Sequence, residues 1–501
     1  MQLSDLISKT KIYSLSKLDP THLDSLTIAG ISCDSRQIEN NYIFVALPGV
    51  EQDGHAYIED AIDAGAIAIL CKPDTKLPDT IIHLGAEDLR RGYTDICAAF
   101  WPGRAAMQVA VTGTNGKTST VEYLRQIWQR LNWPAASIGT LGARTALENA
   151  PGELAGFSIG GLTTPSAEML FSSINSLAKK GVTHIALEAS SHGISQDRLT
   201  GLPIHVAVFT NLSQDHLDFH EDMDRYFAAK AKLFHEQLMA AGYAVINIDT
   251  SWGVRLADSL ETTSVVVVRV GRDPKADISI TEIKSIGPFL QLEVCVFGTK
   301  LTYAVALSGM FQVENAVLAA TAAHVGGVPL HDAFGALPNL RPTPGRMQPV
   351  HGHPDKARIV IDYAHTPDAL ETALQALRAE TDNRLYVVFG CGGDRDRTKR
   401  PLMGAAAARL ADKIIITDDN PRSESPADIR AEIMTACPDA EEIFPRDKAI
   451  NNAISRLQPG DSLMIAGKGH ETVQQIGTET LPFDDAAVAR FAIERLGGGD
   501  A

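Results

Sequence analysis

A strand-like run that breaks into a glycine-rich turn and then a helix sits near residue 113: AMQVAVTG followed by TNGKTSTVEYLRQIWQR. Glycines at 113 and 116 let backbone N–H groups approach phosphate oxygens, and a helix amino terminus favours negative charge. Lys117 supplies a cation and Thr118 a hydroxyl suited to magnesium. The general pattern GxxxxGK followed by Ser or Thr would need glycine at 111, where Val111 stands, so this is a shortened variant. The expected ligand is a nucleotide phosphate.

Runs elsewhere supply the sheet such a turn needs. HIALE (184–188), VAVFT (206–210), YAVIN (243–247) and SVVVVRV (264–270) alternate with helical stretches, which predicts a mostly parallel sheet flanked by helices. Before it, YIFVALPG (42–49), AIAILC (66–71), TIIHLG (80–85) and the helix-like YIEDAIDAG (57–65) predict a small α/β unit over residues 1–100. ALPNLRPTPGR (336–346) is rich in Pro and Gly and punctuates the chain. The central nucleotide-binding unit is therefore expected over 101–340 and a third, Rossmann-like unit over 341–501. Strands of the third unit are ARIVIDYA (357–364), RLYVVFG (384–390), KIIITD (413–418) and SLMIAG (462–467). Each ends in polar or Gly residues, and open parallel sheets gather ligands at the carboxyl ends of their strands.

Composition narrows the function classes. At 501 residues the chain is long enough for three domains, and 45% apolar with 21% charged residues is a globular balance. Against 45 Lys and Arg stand 61 Asp and Glu, a formal charge of −16, which argues against nucleic acid or an anionic membrane as the main partner. Six scattered cysteines form no CxxC pair and read as reduced thiols. Asp5, Lys9 and Lys11 interrupt the apolar core a signal peptide would need, and no uncharged apolar run approaches ~18 residues, so the expected location is the cytoplasm.

Two further runs carry candidate chemistry. HIALEASSHGISQDR (184–198) puts Glu188 at a strand tip, where a carboxylate beside a phosphate loop can hold magnesium or can equally cap a helix. TNLSQDHLDFHEDMDRYFAAKAKLF (210–234) contains His216 and, on a helical stretch, Lys230. Spacing alone makes Lys230 an ordinary solvated lysine.

TGTNGKTS, EASSHG, TNLSQDHLDFH with YFAAKAKLF, PGRM, DYAHTP, FGCGGDRD, DDNPR and AGKGHE occur in the order and approximate spacing of the Mur ligases. The resemblance runs from the DSR at 34–36 to GKGHE at 467–471, and the set is most similar to the tripeptide-forming members. It implies an α/β protein of three domains that makes an amide bond at the expense of ATP in peptidoglycan precursor synthesis. A D-glutamyl carboxylate of the nucleotide-sugar substrate would attack the γ-phosphate, and the amine of an incoming amino acid would then displace phosphate from the acyl phosphate.

Carried over by position, the resemblance places Gly113, Thr114, Asn115, Gly116, Lys117, Thr118 and Ser119 around the ATP phosphates. Thr118 and Glu188 would share one Mg2+, His216 would help with a second, and Lys230 would become N-carboxylated by carbon dioxide and ligate metal. Asn315, Arg346 and Asp362 would contact adenine, phosphates and ribose, although Gln312 stands where the family often has Asn. Ser35 would lie near uridine, and Thr163, Thr164, Ser190, Gln196 and Arg198 would hold the muramoyl dipeptide. The stretch VEQ at 50–52 departs from the matching segment of other members.

The amino-acid end would fall to Arg395, Asp419, Asn420, Pro421, Arg422, Gly467 and Glu471. meso-Diaminopimelate differs from lysine by one carboxylate, so selecting it calls for a fixed cation in fork geometry. Arg422 of DNPR and Arg395 of GGDRD meet that need, and Glu471 can take the distal ammonium. A monomer acting on small molecules is expected. Lysine-adding members of the family, folylpolyglutamate synthetases and a nucleotide-driven switch remain rival readings.

Overall fold

The structure, a computed structural model, describes residues 1–16, 20–49, 53–145, 162–214, 217–286 and 289–497. Three main sheets follow one another along the chain, each mixed or parallel and flanked by helices. The first has five strands in the order Tyr13–Ser14, Ile82–Gly85, Ala66–Leu70, Tyr42–Val45 and Gly30–Ser32, parallel except for the first. Its inner face is not closed off. A single apolar cluster joins Leu3, Ile43 and Ile96 to Phe171, Phe209 and Leu256, so the first unit shares a core with the second.

The central sheet has ten strands. Seven lie parallel in the order Ile278–Ile286, Val266–Gly271, Leu238–Asn247, Ile204–Phe209, Met107–Thr112, His184–Glu188 and Ala135–Gly139. Antiparallel strands Phe289–Val296 and Thr299–Val305 extend one side, and Gly142–Thr145 closes the other. The apolar runs expected at 184–188, 206–210, 243–247 and 264–270 fall largely in parallel strands, the inner ones buried on both faces and Val266–Gly271 only partly so. The antiparallel extension alternates buried and exposed residues, because only one of its faces meets the core. Two helices, Lys117–Arg130 and Met310–Val325, pack on the same face over Val109, Val111, Val206 and Val208. Met310–Val325 is buried nearly all round, which is why its sequence is Ala-rich and lacks a polar stripe.

The third sheet orders six strands as Gln348–Val350, Arg358–Asp362, Ser462–Ala466, Leu385–Phe389, Lys413–Ile416 and Glu441–Glu442, parallel after the first. Its helices cover both faces in separate apolar clusters. A two-stranded ribbon, Val473–Ile476 with Glu479–Pro482, stands beside the strand ends. No helix among the described residues is long and apolar enough to cross a membrane.

The third sheet reaches the central one at the phosphate-type turn. Thr366 caps the helix Pro367–Arg378, and Asp368 in its first turn accepts hydrogen bonds from Asn115 Nδ2 (3.2 Å) and Ser213 Oγ (2.8 Å). Glu380 after that helix accepts from the backbone N–H of Gly309 (2.9 Å).

Candidate active site

The turn after Met107–Thr112 owes its shape to two glycines. Gly113 has φ 151° and Gly116 has φ 84°, in the range that disfavours a side chain. A Cβ at Gly116 would lie 2.4 Å from Asn315 Oδ1, so the glycine also admits the helix Met310–Val325 against the loop. The helix Lys117–Arg130 begins directly behind it. Lys117 Nζ curls back onto the carbonyl oxygens of Gly113 (2.9 Å) and Thr114 (2.7 Å), which leaves its charge over the mouth of the turn.

Glu188 closes the floor. The residue is 2% exposed; its carboxylate accepts three hydrogen bonds, from Thr118 Oγ1 (3.0 Å), Thr140 N (2.7 Å) and Thr140 Oγ1 (3.2 Å), and its backbone carbonyl accepts a fourth from Thr164 Oγ1 (2.8 Å). Burial pushes the Glu188 carboxyl up, opposed by the nearby Lys117, the Thr140 N–H, Arg346 and Thr118. Gly139 is the space this carboxylate needs, since a Cβ there would sit 2.2 Å from Glu188 Oε1. A buried carboxylate beside a threonine hydroxyl fits a hard cation, which takes oxygen ligands and keeps other positions for phosphate and water. Among the described residues no group of three or more His, Cys, Asp or Glu gathers as a metal cluster. His216 lies outside the described residues.

Lys230 is not the solvated lysine its spacing suggested. It is 1% exposed, its Nζ donates to Gly113 O at 2.8 Å, and it lies 4.5 Å from the centre of the Tyr226 ring. The helix Met223–Lys232 turns this face onto the turn at Gly113–Gly116, a tertiary arrangement that helical periodicity does not report.

From the third sheet come Arg346 and Asp362. Arg346 Nη2 donates to Thr118 Oγ1 (3.3 Å), and its guanidinium stacks on Tyr363 at 4.4 Å. Asp362, buried at the end of Arg358–Asp362, accepts from the N–H groups of Met347 (2.7 Å) and Ala364 (2.9 Å), while burial raises its pKa. Gln312 accepts from Tyr123 Oη at 3.0 Å and is buried. His470, beside Arg346 and Tyr363, is pushed down to about 4, first by burial and then by the Arg346 charge.

A second cluster adjoins Glu188 on the side of the first domain. Thr164 Oγ1 lies 3.0 Å from Ser190 Oγ and accepts from Ser190 N at 2.8 Å; Thr140 Oγ1 lies 3.4 Å from Thr163 Oγ1. Arg198 donates to Thr164 O (2.6 Å) and Gln196 Oε1 (2.7 Å), fixing the guanidinium against GLTTP. Ser35 opens a short 3-10 turn capped by Asp34. Tyr93 Oη lies 3.7 Å from Cys33 Sγ and 3.4 Å from Glu168 Oε2, joining the segment just before Ser35 to the helix that follows GLTTP. The VEQ stretch at 50–52 lies outside the described residues.

The remaining candidates meet at the carboxyl ends of the third sheet. Asn420 Nδ2 donates to Glu471 Oε2 at 2.8 Å, and Asp419 Oδ1 accepts from Asn420 N at 2.7 Å. A Cβ at Gly467 would meet Asp419 Oδ2 at 2.6 Å, so glycine keeps the two loops in contact. Pro421 is buried, and its carbonyl oxygen would lie 1.9 Å from a Cβ at Gly393. Arg422 adopts φ 51°, donates through Nη1 to Gly393 O (2.7 Å), and is held to the ribbon by Arg422 N to Gln475 O (3.2 Å). A methyl at Gly392 would meet Arg422 Nη1 at 3.0 Å and Arg395 Cγ at 3.8 Å, so both arginines flank one glycine. Sequence reasoning missed Thr140, Asp368 and Lys468; only Lys468 stood inside a motif, GKGHE.

Comparison with known proteins gives this geometry a context. Residues 27–92 match the Mur ligase family, catalytic domain; 111–323 match the Mur ligase middle domain; 345–469 match the Mur ligase, glutamate ligase domain. The UDP-N-acetylmuramoyl-L-alanyl-D-glutamate--2,6-diaminopimelate ligase of Brucella melitensis is 41% identical over 96% of this chain and 97% of its own. The protein of that name from Caulobacter vibrioides is 44% identical over 93% of this chain and 96% of its own. A solved structure of an enzyme with the same name superposes with a TM-score of 0.67 at 33% identity, covering 96% of this chain and 97% of that one.

Proposed function

Since the chain belongs to the Mur ligase family, we propose that it is an ATP-dependent ligase joining meso-2,6-diaminopimelate to UDP-N-acetylmuramoyl-L-alanyl-D-glutamate. The observation that carries this reading is full-length similarity to ligases of that name, at 41% and 44% identity. The fork of Arg395 and Arg422 beside Asn420 and Glu471 supports diaminopimelate over lysine, whose distal end lacks a carboxylate.

The three-way division follows the sheets. Residues 1–100 would hold the uridine end with Ser35, 101–340 would bind ATP, and 341–501 would bind the amino acid. Backbone N–H groups of 113–119 and Lys117 would wrap the phosphates, and Asn315, Arg346 and Asp362 would complete the nucleotide site. Thr118 and Glu188 would hold Mg2+, which offsets phosphate charge when bound; His216 and Lys230, the latter as a carbamate, would serve a second ion. Thr163, Thr164, Ser190, Gln196 and Arg198 would seat the muramoyl dipeptide with its D-glutamyl carboxylate toward the phosphate loop.

Two anions must meet in this reaction, so neutralisation comes first, and Lys117, Arg346 and Arg198 are the fixed cations around the junction. The carboxylate oxygen bonds to the γ-phosphorus and ADP leaves. The amine nitrogen then bonds to the acyl carbon, phosphate departs and the amine proton is lost. Asp368 tying the third sheet to Asn115 and Ser213 brings the amine site up to the phosphates. The enzyme would work in the cytoplasm as a monomer on small molecules alone.

The test is phosphate release with ATP, Mg2+ and the UDP-muramoyl dipeptide, comparing meso-diaminopimelate with L-lysine. Strong stimulation by diaminopimelate alone is expected. Stimulation by lysine would overturn the reading of DNPR, and hydrolysis independent of both co-substrates would favour a nucleotide switch.

A further inference from the structure

A lysine no step above uses lies beneath the proposed amino-acid site. The strand Ser462–Ala466 ends in Gly467 (φ 109°) and Gly469 (φ 56°), and the double left-handed turn throws Lys468 inward. It is 0% exposed. Its Nζ donates to Asn420 Oδ1 (3.0 Å) and to Glu471 Oε2 (3.0 Å).

These contacts leave no ambiguity about how the neighbouring groups face. Asn420 Oδ1 also accepts from Gln475 N (3.0 Å), so the amide oxygen lies between two donors and Nδ2 must point to Glu471. Glu471 Oε2 takes hydrogen bonds from both Lys468 and Asn420, while Oε1 accepts none from the described residues. One carboxylate oxygen is thus spent on the protein and the other is presented. Asp419 stands next to the same turn, its Oδ2 2.6 Å from where a Cβ at Gly467 would lie, while Glu471 is the carboxylate paired with the buried ammonium. Without that ammonium Glu471 would lose its buried cation and swing outward.

We propose that Lys468 is a positioning residue for the incoming amino acid, holding Glu471 Oε1 and the Asn420 amide in place for an ammonium and a carboxylate of a diamino dicarboxylic acid. This assignment rests on the ligase reading above. It explains why a cation lies buried in a site that must itself bind ammonium: Lys468 holds Glu471 from below through Oε2 and leaves Oε1 for the ligand.

The experiment is a double-mutant cycle on the full chain, measuring KM for each substrate in the phosphate-release assay for K468M, E471Q and K468M/E471Q. K468M is expected to raise the KM for diaminopimelate about 30-fold or more while leaving the KM for ATP and for the UDP-muramoyl dipeptide within about twofold. In the E471Q background the same change should add less than about threefold, because its effect passes through Glu471. K468Q, which keeps a donor for Asn420 without the charge, should fall between wild type and K468M, and it carries the test if K468M does not fold. Equal rises in all three KM values, or full additivity with E471Q, would make Lys468 merely structural and overturn the assignment. An inactive wild-type protein would instead defeat the ligase reading, so the two failures are separable.

Discussion

Arg446 and Asp485 form an ion pair that is 0% exposed on both sides, with Nη2 to Oδ2 at 2.7 Å and Nε to Oδ1 at 2.8 Å. Arg446 Nη2 also donates to Ala466 O (2.9 Å), the last carbonyl before Gly467 and Lys468. Arg446→Met removes the fork and leaves a buried carboxylate without its cation, a loss of about 3–5 kcal/mol. The strand Ser462–Ala466 lies between Arg358–Asp362 and Leu385–Phe389, so its amides report opening of the third sheet directly. Native-state hydrogen exchange at Leu463, Met464 and Ile465 should accelerate by roughly 10² to 10³-fold or more at ~1.4 kcal/mol per decade. The double variant Arg446→Met with Asp485→Leu removes both charges and should return most of that protection, because the desolvation cost disappears with the pair. Protection in the single variant within tenfold of wild type would refute the reasoning, as would a double variant as labile as the single one.

Three shorter predictions concern the site. Gly139→Ala puts a methyl 2.2 Å from Glu188 Oε1, so turnover should fall by about two orders of magnitude or more while the thermal midpoint moves by only a few degrees; unchanged turnover would show that Glu188 can shift freely. His470 titrates near 4 in the folded protein against 6.5 unperturbed, so the unfolded chain binds its proton first and stability falls as pH drops from about 6.5 to 4. His470→Asn should lessen that acid loss by roughly 2–3 kcal/mol in urea titrations at pH 7 and pH 4.5, and parallel pH profiles would contradict it. Arg422→Lys keeps the charge but loses the fork, so the KM for diaminopimelate should rise about 10- to 100-fold; an unchanged value would remove Arg422 from amino-acid recognition.

What was legible in the sequence was what local patterning controls. Continuous apolar runs marked strands because parallel strands here are buried on both faces, as in Met107–Thr112 and Leu385–Phe389. The strands Ile278–Ile286, Phe289–Val296 and Thr299–Val305 escaped because their alternation with charged residues resembles a solvated segment until a partner strand is present. Lys230 shows the same limit for chemistry: nothing within the helix tells that its face lands on Gly113, 117 positions away. Thr140 was invisible for a simpler reason, since its role depends on Glu188 arriving from another strand. Glycines gave the opposite lesson. Those in motifs, Gly113, Gly116 and Gly467, are required by positive φ or close approach, which is why motif reading found them.

The placement of Lys468 and Arg346 bears on how binding and chemistry are coupled. Arg346 reaches Thr118 from the third sheet, Tyr363 stacks on Arg346, and His470 packs against Tyr363 only two residues from Lys468. Gly345 lies so close to Gly469 and His470 N that a Cβ there would be 2.2 Å from that nitrogen. The loop proposed to orient the amino acid is therefore packed against the loop that carries Arg346, the cation proposed for the phosphates. On the proposed roles, an amine that fails to seat on Glu471 would leave the 467–471 loop less firmly packed against Gly345 and Arg346, and charge neutralisation around Thr118 and Glu188 would be less complete. Selectivity for the amino acid would then register in turnover as well as in KM, because the same rigid contact serves both.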